Sequence, residues 1–320
     1  MTNLTSHSIG WIGTGHMGFP MVEHLVKNGA RVTVYNRTRT KAEPLTRSGA
    51  RLADHPRALA GHDIVFTMVT ADKDLTAVTT GADGVLSDKE HAPKILIDCS
   101  TVSEESSASV RAAAEKRGTA MLAAPVSGNG KVVKAGLMSF AVSGPRPAFD
   151  EAKPYMDAMG RGAFYVGDGE LARTVKICHN VVLGIVAQAM AEVTVLAEQS
   201  GVPRHAWLAF LNNSVMGSMF TRYKSPAYVK LDFAPTFTPV YLRKDLELGL
   251  AAARKVGTVM PLTAQTRELV QGLIGRGFSE QDFATLLVQA AEMSGLKLAP
   301  EDAVVDDGLR PVSSLSGDRA

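Results

Sequence analysis

Three glycines with the spacing GxGxxG constrain the fold of this chain more than any other feature. Residues 8–13 (SIGWIG) form a short apolar run, and the motif GTGHMG occupies positions 13–18 at its end. Apolar residues at helical spacing follow over 17–28, and residues 31–36 (RVTVYN) alternate as a β-strand does. The order of strand, glycine turn, helix and second strand predicts a βαβ unit.

The three glycines have separate tasks when such a unit binds a dinucleotide. Gly13 permits the tight turn, Gly15 lets a pyrophosphate approach the backbone, and Gly18 lets the helix pack closely on the strand. The N-terminus of the helix then offers N–H groups to the phosphates. A glycine-rich turn in an unrelated α/β fold would show the same letters, but the flanking strands and helix favour a dinucleotide site.

Short apolar runs alternate with polar helical stretches as far as residue 167, and a helical period takes over beyond Gly169. The alternation predicts a mostly parallel sheet covered on both faces. We therefore expect an α/β protein with an N-terminal Rossmann-type doubly wound sheet over 1–168. An all-α domain that includes a long inter-domain helix is expected over 169–300, and a loose polar tail over 301–320.

The segment 171–199 is apolar nearly all round in its middle, which is typical of a helix buried between domains or subunits. We therefore expect a homodimer or a homotetramer. The charge-free stretch between His179 and Glu192 is too short to span a bilayer, so no membrane partner is expected. The N-terminal residues lack the basic and apolar regions of a secretion signal, which predicts a cytoplasmic protein.

Composition argues against two other kinds of ligand. Lysine and arginine number 34 against 32 acidic residues and form no basic run, so nucleic acid is not expected to bind. Cys99 and Cys178 are far apart and show no metal-ligand spacing, so neither a disulfide nor a metal site is expected. Both cysteines are expected to be buried thiols.

The residues after the second strand indicate which dinucleotide is bound. A NAD-specific site normally carries Asp or Glu there to bind the ribose 2′-hydroxyl, and this chain has Asn36, Arg37 and Thr38 instead. Arg37, with Lys41 one turn away, could pair with a 2′-phosphate, so NADP is the expected cofactor. The alternative is that Arg37 only lies in a solvated turn and that NAD binds through ribose contacts to Asn36.

Lys176 and Asn180 are four residues apart, so a helix would project both side chains from one face. A lysine can donate a proton to a carbonyl oxygen as it is reduced and take the proton back in oxidation. Asn180 would add a neutral, directional donor. A lysine on a helix is more often a solvated charge, and the spacing alone does not exclude that interpretation.

Four separated motifs, in order, resemble the β-hydroxyacid dehydrogenase family over residues 8–295. They are the glycine loop at 9–21, DCST at 98–101, APVSG at 124–128, and the pattern G-x-x-x-x-x-x-K-x-x-x-N from 169 to 180. The sequence KDL at 244–246 is a further match. The family includes 3-hydroxyisobutyrate dehydrogenase and the reductases of tartronate semialdehyde, glyoxylate and sulfolactaldehyde.

The resemblance implies which residues act on the substrate. Lys176 would be the catalytic acid and base, and Asn180 would bind the substrate. Ser127, Gly128 and Asn129 would hold the substrate carboxylate through neutral donors.

The resemblance also places residues at the cofactor. His16 and Met17 would contact the dinucleotide, while Thr101 and Lys244 would lie near the nicotinamide. Val69, at the end of the apolar run 63–69, is assigned to the cofactor as well. The expected cofactor-binding residues are Gly13, Gly15, His16, Met17, Gly18, Asn36, Arg37, Thr38, Val69, Thr101 and Lys244.

Departures from the family pattern cluster around the substrate loop. Ala123 stands where the family usually has Asp, and Asn129 stands where it usually has a second Gly. Lys131 and Lys134 occupy positions that commonly hold small residues. These lysines could add charge for a doubly anionic, phosphorylated or sulfonated substrate, or they could simply be solvated.

The expected activity is hydride transfer between NADP(H), with NAD as the alternative cofactor, and a small anionic β-hydroxyacid or its semialdehyde. An imine reductase on the same scaffold is one alternative, although such enzymes usually carry Asp or Tyr at the position of Lys176. A non-catalytic NADP-binding module is another, but relatives of that kind lose the lysine. A 6-phosphogluconate dehydrogenase would need a much longer helical domain.

Overall fold

The computed structural model describes residues 4–309 of the chain. The chain divides into two compact units, Met1–Lys176 and Ile177–Ala320. The division falls inside a long helix, whereas the sequence pattern places the domain boundary before that helix, between residues 168 and 169. The first turns of the helix belong to the first unit because Arg173 and Lys176 bind residues of that unit.

The first unit contains nine strands in its described residues. They are β1 (Ser8–Ile12), β2 (Arg31–Tyr35), β3 (Arg51–Leu52), β4 (Ile64–Thr67), β5 (Ile95–Asp98), β6 (Ala120–Ala123), β7 (Val126–Ser127), β8 (Ser139–Ser143) and β9 (Gly162–Gly167). Its α-helices are α1 (Gly18–Lys27), α2 (Asp72–Thr79), α3 (Glu104–Glu115), α4 (Gly130–Lys134) and α5 (Arg146–Asp157).

The strands form one sheet in the order β3-β2-β1-β4-β5-β6-β8-β7, with β9 beside β8. β1 pairs in parallel with both β2 and β4, and β4, β5 and β6 continue in parallel. The chain thus moves outward from β1 in one direction and from β4 in the other, so right-handed crossovers place helices on both faces. The expected doubly wound α/β fold is confirmed, with antiparallel pairing where β6 and β7 meet β8.

The central strands are buried along their whole length, as their continuous apolar sequences require. Every residue of β4 (IVFT) and β5 (ILID) is buried. Trp11 of β1 stacks on Phe66 of β4, with ring centroids 5.1 Å apart. Because β1, β4 and β5 are parallel neighbours, the loops that follow them meet at one edge of the sheet.

The second unit is all-α in its described residues, as expected. It contains most of α6 (Leu171–Gln199), together with α7 (Arg204–Asn213), α8 (Met219–Lys230), α9 (Pro239–Val256), α10 (Pro261–Gly275) and α11 (Leu286–Met293). One apolar core joins these helices, and its buried side chains include Val181, Leu208, Tyr228, Leu246, Leu273 and Leu287.

α6 has 29 residues and meets the length and composition criteria for a membrane-crossing helix, with a mean hydropathy of 1.7 in its most apolar window. The sequence analysis predicted no membrane span because it considered only the charge-free stretch between His179 and Glu192, which is shorter than the helix. Within that window, 44% of the residues are buried inside the protein. A core helix meets the same criteria, so length and composition alone do not assign α6 to a membrane.

The two cysteines differ in environment. Cys99 is buried at the end of β5, whereas Cys178 is exposed on α6, so the expectation of two buried thiols is wrong for Cys178. Its helical neighbours Val175 and Val182 are exposed too, which shows that this face of α6 is uncovered in the single chain. Sequence hydrophobicity did not reveal the exposure because this face is as apolar as the buried one.

The start of the predicted tail is held to the second unit. Residues 301–309 form no helix or strand, yet the carboxylate of Glu301 accepts hydrogen bonds from the backbone N–H groups of Arg204 (2.7 Å) and His205 (2.9 Å). The remainder of the predicted tail, 310–320, lies outside the described residues.

Gly249 should tolerate a side chain poorly because α6 and α9 touch there. A Cβ on Gly249 would lie 2.4 Å from Val181 Cγ2. We expect Gly249→Ala to destabilise the protein by about 1–3 kcal/mol through overpacking. The matched control is Gly272→Ala in α10, where a Cβ would meet only Gln289 Oε1, at 3.6 Å. That variant should gain up to about 1 kcal/mol of helix stability. Thermal unfolding measures both, and equal Tm shifts would contradict the proposed contact.

Candidate active site

Two of the three glycines of the GxGxxG motif, which runs from the end of β1 to the first residue of α1, leave no room for a Cβ because backbone atoms lie too close. Gly13 has φ +98°, and a Cβ there would lie 2.2 Å from the carbonyl oxygen of Met68. A Cβ on Gly18 would lie 2.0 Å from the carbonyl oxygen of Gly13, which also accepts a hydrogen bond from the Trp11 indole at 2.8 Å. Both positions require glycine because these backbone neighbours cannot move aside.

Gly15 is open to a ligand, since a Cβ on it would meet nothing within 4 Å. α1 begins without a side-chain cap and without an acidic residue in its first turn, which suits a bound anion. The hydroxyl of Thr14 is buried and has no hydrogen-bond partner in the described part of the chain. His16 is exposed and Met17 is half-buried at the start of α1. The loop therefore fits the pyrophosphate of a dinucleotide.

Asn36 connects the end of β2 to the glycine loop. Its side-chain oxygen accepts a hydrogen bond from the N–H of Thr14 at 2.9 Å, and its amide donates to the carbonyl of Thr38 at 2.8 Å. The side chain thus orders the turn that carries Arg37. The sequence analysis assigned Asn36 to the cofactor, with ribose contacts only if NAD is bound, and did not foresee this internal role.

Arg37 projects from this turn with its side chain 84% exposed, and it lies 3.0 Å from a carboxylate oxygen of Asp74 in α2. Thr38 and Lys41 are exposed beside it. An exposed ion pair contributes little free energy, so Arg37 can exchange Asp74 for a phosphate. The turn itself carries no carboxylate at positions 36–38 that would repel a 2′-phosphate.

Asp98, at the end of β5, is fully buried and organises the edge of the sheet. Its Oδ1 accepts hydrogen bonds from the hydroxyls of Thr67 (2.6 Å) and Ser100 (2.7 Å). The hydroxyl oxygen of Ser100 in turn accepts a hydrogen bond from the N–H of Val69 at 2.9 Å. Ser100 therefore joins the loop after β4, which carries Val69, to the loop after β5, which carries the exposed Thr101.

Cys99 lies between these polar residues but is not placed for nucleophilic chemistry. Burial raises the pKa of its thiol well above the ordinary value, and the Asp98 carboxylate raises it further, against the opposing effect of Arg173. A thiol held in its neutral form is a poor nucleophile.

The ion-pair partner of Asp98 is Arg173, which sequence reasoning missed. Arg173 Nη2 lies 2.5 Å from Asp98 Oδ2, and the two side chains are 3% and 0% exposed. Arg173 also donates hydrogen bonds to the carbonyl of Ser100 and to the hydroxyl of Ser107 in α3. The sequence signal was an arginine three residues before Lys176 in a largely apolar helix, but its partner is 75 residues away.

A second ion pair holds the segment just before α6. Arg111 Nε of α3 lies 2.7 Å from Glu170 Oε1, and the side chains are 12% and 9% exposed. Arg111 also donates to the carbonyls of Gly169 (2.9 Å) and Met121. The hydroxyl of Ser143 donates to the same Gly169 carbonyl at 2.7 Å. The start of α6 is thus fastened to α3, β6 and β8.

Lys176 lies one turn after Arg173 on α6 and is half-buried. Its ammonium donates a hydrogen bond to the backbone carbonyl of Val126 at 2.8 Å. Val126 directly precedes Ser127 in β7. The structure therefore brings the predicted catalytic lysine to the predicted substrate loop, within the first unit.

The substrate loop has a rigid local geometry. Ser127 pairs in register with Ser139 of β8, and it is half-buried. Gly128 follows with φ +139°, a conformation that favours glycine. The side-chain oxygen of Asn129 then accepts a hydrogen bond from the N–H of Val132 and caps α4. Asn129 therefore shapes the loop, a role that its departure from the family pattern did not suggest.

α4 packs the substrate loop against the glycine loop and α1. A Cβ on Gly130 would lie 3.2 Å from the carbonyl oxygen of His16, so the two loops approach closely. The His24 ring of α1 lies 2.8 Å from the carbonyl oxygen of Val133. Lys131 and Lys134 remain exposed on α4.

Asn180 and Lys244 belong to the second unit. The Asn180 side chain is buried, its amide donates to Asp245 Oδ2 at 2.6 Å, and its oxygen lies 2.9 Å from His179 Nδ1. Lys244 is exposed, with its Nζ 3.6 Å from Asp245 Oδ1. Asp245 therefore orients Asn180. Sequence reasoning missed this role although the KDL motif contains the residue.

The first unit thus gathers an open glycine loop, an exposed arginine at the end of β2, and a lysine beside a turn of neutral donors. Such groups suit a dinucleotide with an additional phosphate and a small anionic substrate. Among residues 4–309, no cluster of three His, Cys, Asp or Glu side chains is placed to hold a metal ion.

Comparisons with known proteins match both parts of the chain. A family model described as the NAD binding domain of 6-phosphogluconate dehydrogenase matches residues 8–167. A second, described as NAD-binding of NADP-dependent 3-hydroxyisobutyrate dehydrogenase, matches residues 170–289. The 3-hydroxyisobutyrate dehydrogenase of Pseudomonas aeruginosa is 34% identical over 269 residues, which cover 82% of this chain and 90% of that protein. The chain belongs to the β-hydroxyacid dehydrogenase family.

Other members of the β-hydroxyacid dehydrogenase family differ in substrate and cofactor. Glyoxylate/succinic semialdehyde reductase 2, chloroplastic, of Arabidopsis thaliana is 30% identical over 281 residues, 88% of this chain and 78% of that protein. The NAD-dependent L-serine dehydrogenase of P. aeruginosa is 31% identical over 287 residues, 87% of this chain and 96% of that protein. As a member of this family, the chain is an NAD(P)-dependent oxidoreductase. Its cytoplasmic location stays a prediction.

Solved structures agree with the fold of this chain. The 3-hydroxyisobutyrate dehydrogenase of Mycobacterium tuberculosis with L-serine has a TM-score of 0.75 and 26% identity, and the match covers 89% of this chain and 99% of that one. An imine reductase from Pseudomonas sp. has a TM-score of 0.57 at 19% identity over 89% and 99% of the two chains. The latter likeness shows a shared fold alone.

Arg37→Ala should weaken binding of NADPH by about 10- to 100-fold and leave NADH binding nearly unchanged, because a charge-assisted hydrogen bond contributes roughly 1.5–3 kcal/mol. Fluorescence titration of both dinucleotides measures the effect. Asp74→Asn, which removes the paired carboxylate, should instead tighten NADPH binding. The control is Arg57→Ala, which disrupts a similar exposed pair with Asp83. Equal losses for NADPH and NADH in Arg37→Ala would contradict a 2′-phosphate contact.

Proposed function

We propose that the protein is an NADP-preferring oxidoreductase that moves hydride between the cofactor and a small anionic β-hydroxyacid or its semialdehyde, with Lys176 as acid and base. The supporting observation is the hydrogen bond from the Lys176 ammonium to the Val126 carbonyl at 2.8 Å. It holds a cation beside Ser127 in the same unit as the glycine loop. When bound, the dinucleotide supplies or accepts the hydride.

Lys176 handles the charge and the proton at the substrate oxygen. In the reducing direction its positive charge stabilises the oxyanion that develops on the substrate, and one of its N–H groups donates the proton. In the oxidising direction the neutral amine takes the proton from the hydroxyl group. The contact with Val126 fixes the direction of the side chain, so little reorganisation is needed when the substrate arrives.

Ser127, Gly128 and Asn129 hold the carboxylate of the substrate. The hydroxyl of Ser127 is one donor, and the backbone N–H groups of the loop are others. The Asn129 cap on α4 keeps the loop in one shape, which lowers the cost of ordering it around an anion. Lys131 and Lys134, exposed on α4, add a positive field that favours anionic substrates.

NADP preference follows from the turn after β2. Arg37 supplies a planar cation, Asn36 holds the turn to the glycine loop, and Thr38 is exposed beside them. Val69 and Thr101, joined through Ser100, are assigned to the cofactor on the loops after β4 and β5.

The two assigned residues of the second unit complete the proposal. By family resemblance, Asn180 binds the substrate and Lys244 reaches the cofactor. Asp245 holds the Asn180 amide in one orientation through a 2.6 Å hydrogen bond, which suits a directional donor.

We also propose a homodimer or homotetramer that covers the outer face of α6. Exposed apolar residues recur along this helix every three to seven positions and share one side of it. They are Leu171, Val175, Val182, Val186, Val193 and Leu196. A continuous apolar stripe of this length favours burial against another copy of the chain. Light scattering on the purified protein measures the assembly.

A turnover panel tests the proposed reaction. Glyoxylate, succinic semialdehyde, 3-hydroxyisobutyrate, D-glycerate, threonate and a sulfonate are each assayed with NADP(H) and NAD(H). We expect at least one anionic hydroxyacid or aldehyde to be turned over, with higher kcat/KM for the phosphorylated dinucleotide. Turnover of cyclic imines alone would contradict the proposal, as would NADPH binding without turnover of any compound.

Lys176→Ala should lower kcat by about 10²- to 10⁴-fold because it removes the acid and base. Lys176→Arg keeps the charge but cannot release a proton near neutral pH, so it should be similarly inactive. NADPH affinity should stay within about twofold of wild type in both, because the phosphates are bound at the glycine loop. Lys153→Ala, which removes a surface ion pair with Asp157, is the control. Retention of most activity in Lys176→Ala would reject the lysine as acid and base.

A further inference from the structure

Four charged side chains lie together at the start of α6: Asp98, Arg111, Glu170 and Arg173. They form two ion pairs, Asp98–Arg173 at 2.5 Å and Arg111–Glu170 at 2.7 Å, and none of the four is more than 12% exposed. Arg173 Nε also lies 3.8 Å from Glu170 Oε2, which joins the pairs into one cluster. Two carboxylates face two guanidinium groups, so the charges of the cluster balance.

Stability alone does not account for such a cluster. The desolvation penalty of a buried ion pair roughly cancels its Coulomb attraction, and well-packed apolar side chains often serve as well or better. What the pair adds is geometry, because a planar guanidinium group donates its hydrogen bonds only in fixed directions. The Asp98–Arg173 pair thereby defines the position of the first turn of α6.

The guanidinium group of Arg173 contacts two different elements of the first unit. It donates to Asp98 and the carbonyl of Ser100 at the end of β5, and to the hydroxyl of Ser107 in α3. Three acceptors on two elements restrict both the rotation of α6 about its axis and its position along that axis. Lys176 is three residues further along, where side chains of a helix are neighbours at about 5–6 Å.

The same pair reaches the loops assigned to the cofactor. Asp98 Oδ1 accepts from the hydroxyl of Ser100, whose oxygen accepts from the N–H of Val69. The carbonyl of Ser100, just before Thr101, is bound by Arg173. One buried pair therefore connects the helix that carries Lys176 to both loops.

We propose that Asp98 and Arg173 are positioning residues for the reaction: their ion pair sets the place of the Lys176 ammonium beside Val126. The inference rests on the proposed function, in which Lys176 is the acid and base. Neither residue is assigned a contact with substrate or cofactor.

If the Lys176 ammonium is displaced, the chemical step of the reaction becomes slower. With NADPH carrying deuterium at both C4 positions, the isotope effect on kcat then rises, because hydride transfer becomes more fully rate-limiting. Dinucleotide affinity stays near that of wild type, because the phosphates bind at the glycine loop. Simple loss of folded protein lowers the concentration of active enzyme and leaves the isotope effect and KM unchanged.

Three variants of the pair separate geometry from stability. Arg173→Lys keeps the charge but loses the fork, and Asp98→Asn keeps the shape but leaves the arginine without its counter-charge. The double variant Asp98→Asn/Arg173→Gln leaves no unpaired charge in the pair, so it is the variant expected to fold best. Each is assayed with the substrate that wild type turns over fastest in the panel, per folded molecule.

The matched control is a second ion pair that involves α6, between Glu198 near its C-terminal end and Arg204 at the start of α7. Arg204, with a fully buried side chain, lies 2.6 Å from Glu198, which is about 33 Å along α6 from Lys176. Glu198→Gln/Arg204→Gln should lower Tm like the Asp98 and Arg173 variants. It should change neither the isotope effect nor kcat per folded molecule.

We expect the Arg173→Lys and double variants to lose about 10- to 100-fold in kcat, with a raised isotope effect and NADPH affinity within about twofold of wild type. A folded double variant with wild-type kcat and isotope effect overturns the positioning role and leaves the proposed function standing. The role is also overturned if every variant of the pair fails to fold, or if the control pair raises the isotope effect equally. Wild type that turns over nothing in the panel overturns both.

Discussion

The ion pair between Asp98 and Arg173 is the contact on which the geometry around Lys176 depends. It lies where the parallel strand β5 ends and α6 begins, and both side chains are removed from water. In a low-dielectric site an unpaired charge is costly, so neither partner can leave without the other. The pair therefore holds the first turn of α6 on the sheet, and the hydrogen bond from Lys176 to Val126 follows from that placement.

The glycine loop and the lysine site are built by different physics. At Gly13 and Gly18 the backbone of neighbouring residues leaves no room for a Cβ, so steric exclusion shapes the turn. The loop then presents the uncapped N-terminus of α1, rather than charged side chains, to the phosphates of a dinucleotide. The position of Lys176, in contrast, depends on hydrogen bonds and ion pairs between side chains that are far apart in the sequence. The glycine loop, which is shaped by the backbone, and the lysine site, which is shaped by side chains, thus lie at the carboxyl edge of one sheet.

The contact between α6 and α9 in the second unit combines close apolar packing with a buried polar contact. Gly184 and Gly249 allow α6 and α9 to approach, and Asn180 is joined to Asp245 within the otherwise apolar contact between the two helices. Apolar surfaces pack in many registers, whereas a hydrogen bond of 2.6 Å to a buried carboxylate is satisfied in one. The pair therefore selects the register that the glycines permit.

Local patterns account for the features that the sequence predicted correctly. The alternation of apolar runs identified the doubly wound sheet, and the helical period identified the all-α unit. Both patterns report which face of a strand or helix is buried, a property of neighbouring residues. The GxGxxG spacing likewise describes a turn within six residues. The family resemblance then selected Lys176 and Ser127, and the structure brings Lys176 to Val126, the residue before Ser127.

The sequence by itself determined the elements, the glycine turn and the position of Lys176 in a helix, because those depend on residues close together in the chain. Only the tertiary structure decided which partners Arg173 and Asn180 have, since Asp98 and Asp245 lie 75 and 65 residues away from them. It also decided that Cys178 is exposed, because periodicity does not show which apolar face remains uncovered. Contacts between distant segments are set by how the elements pack, and no local pattern encodes that packing.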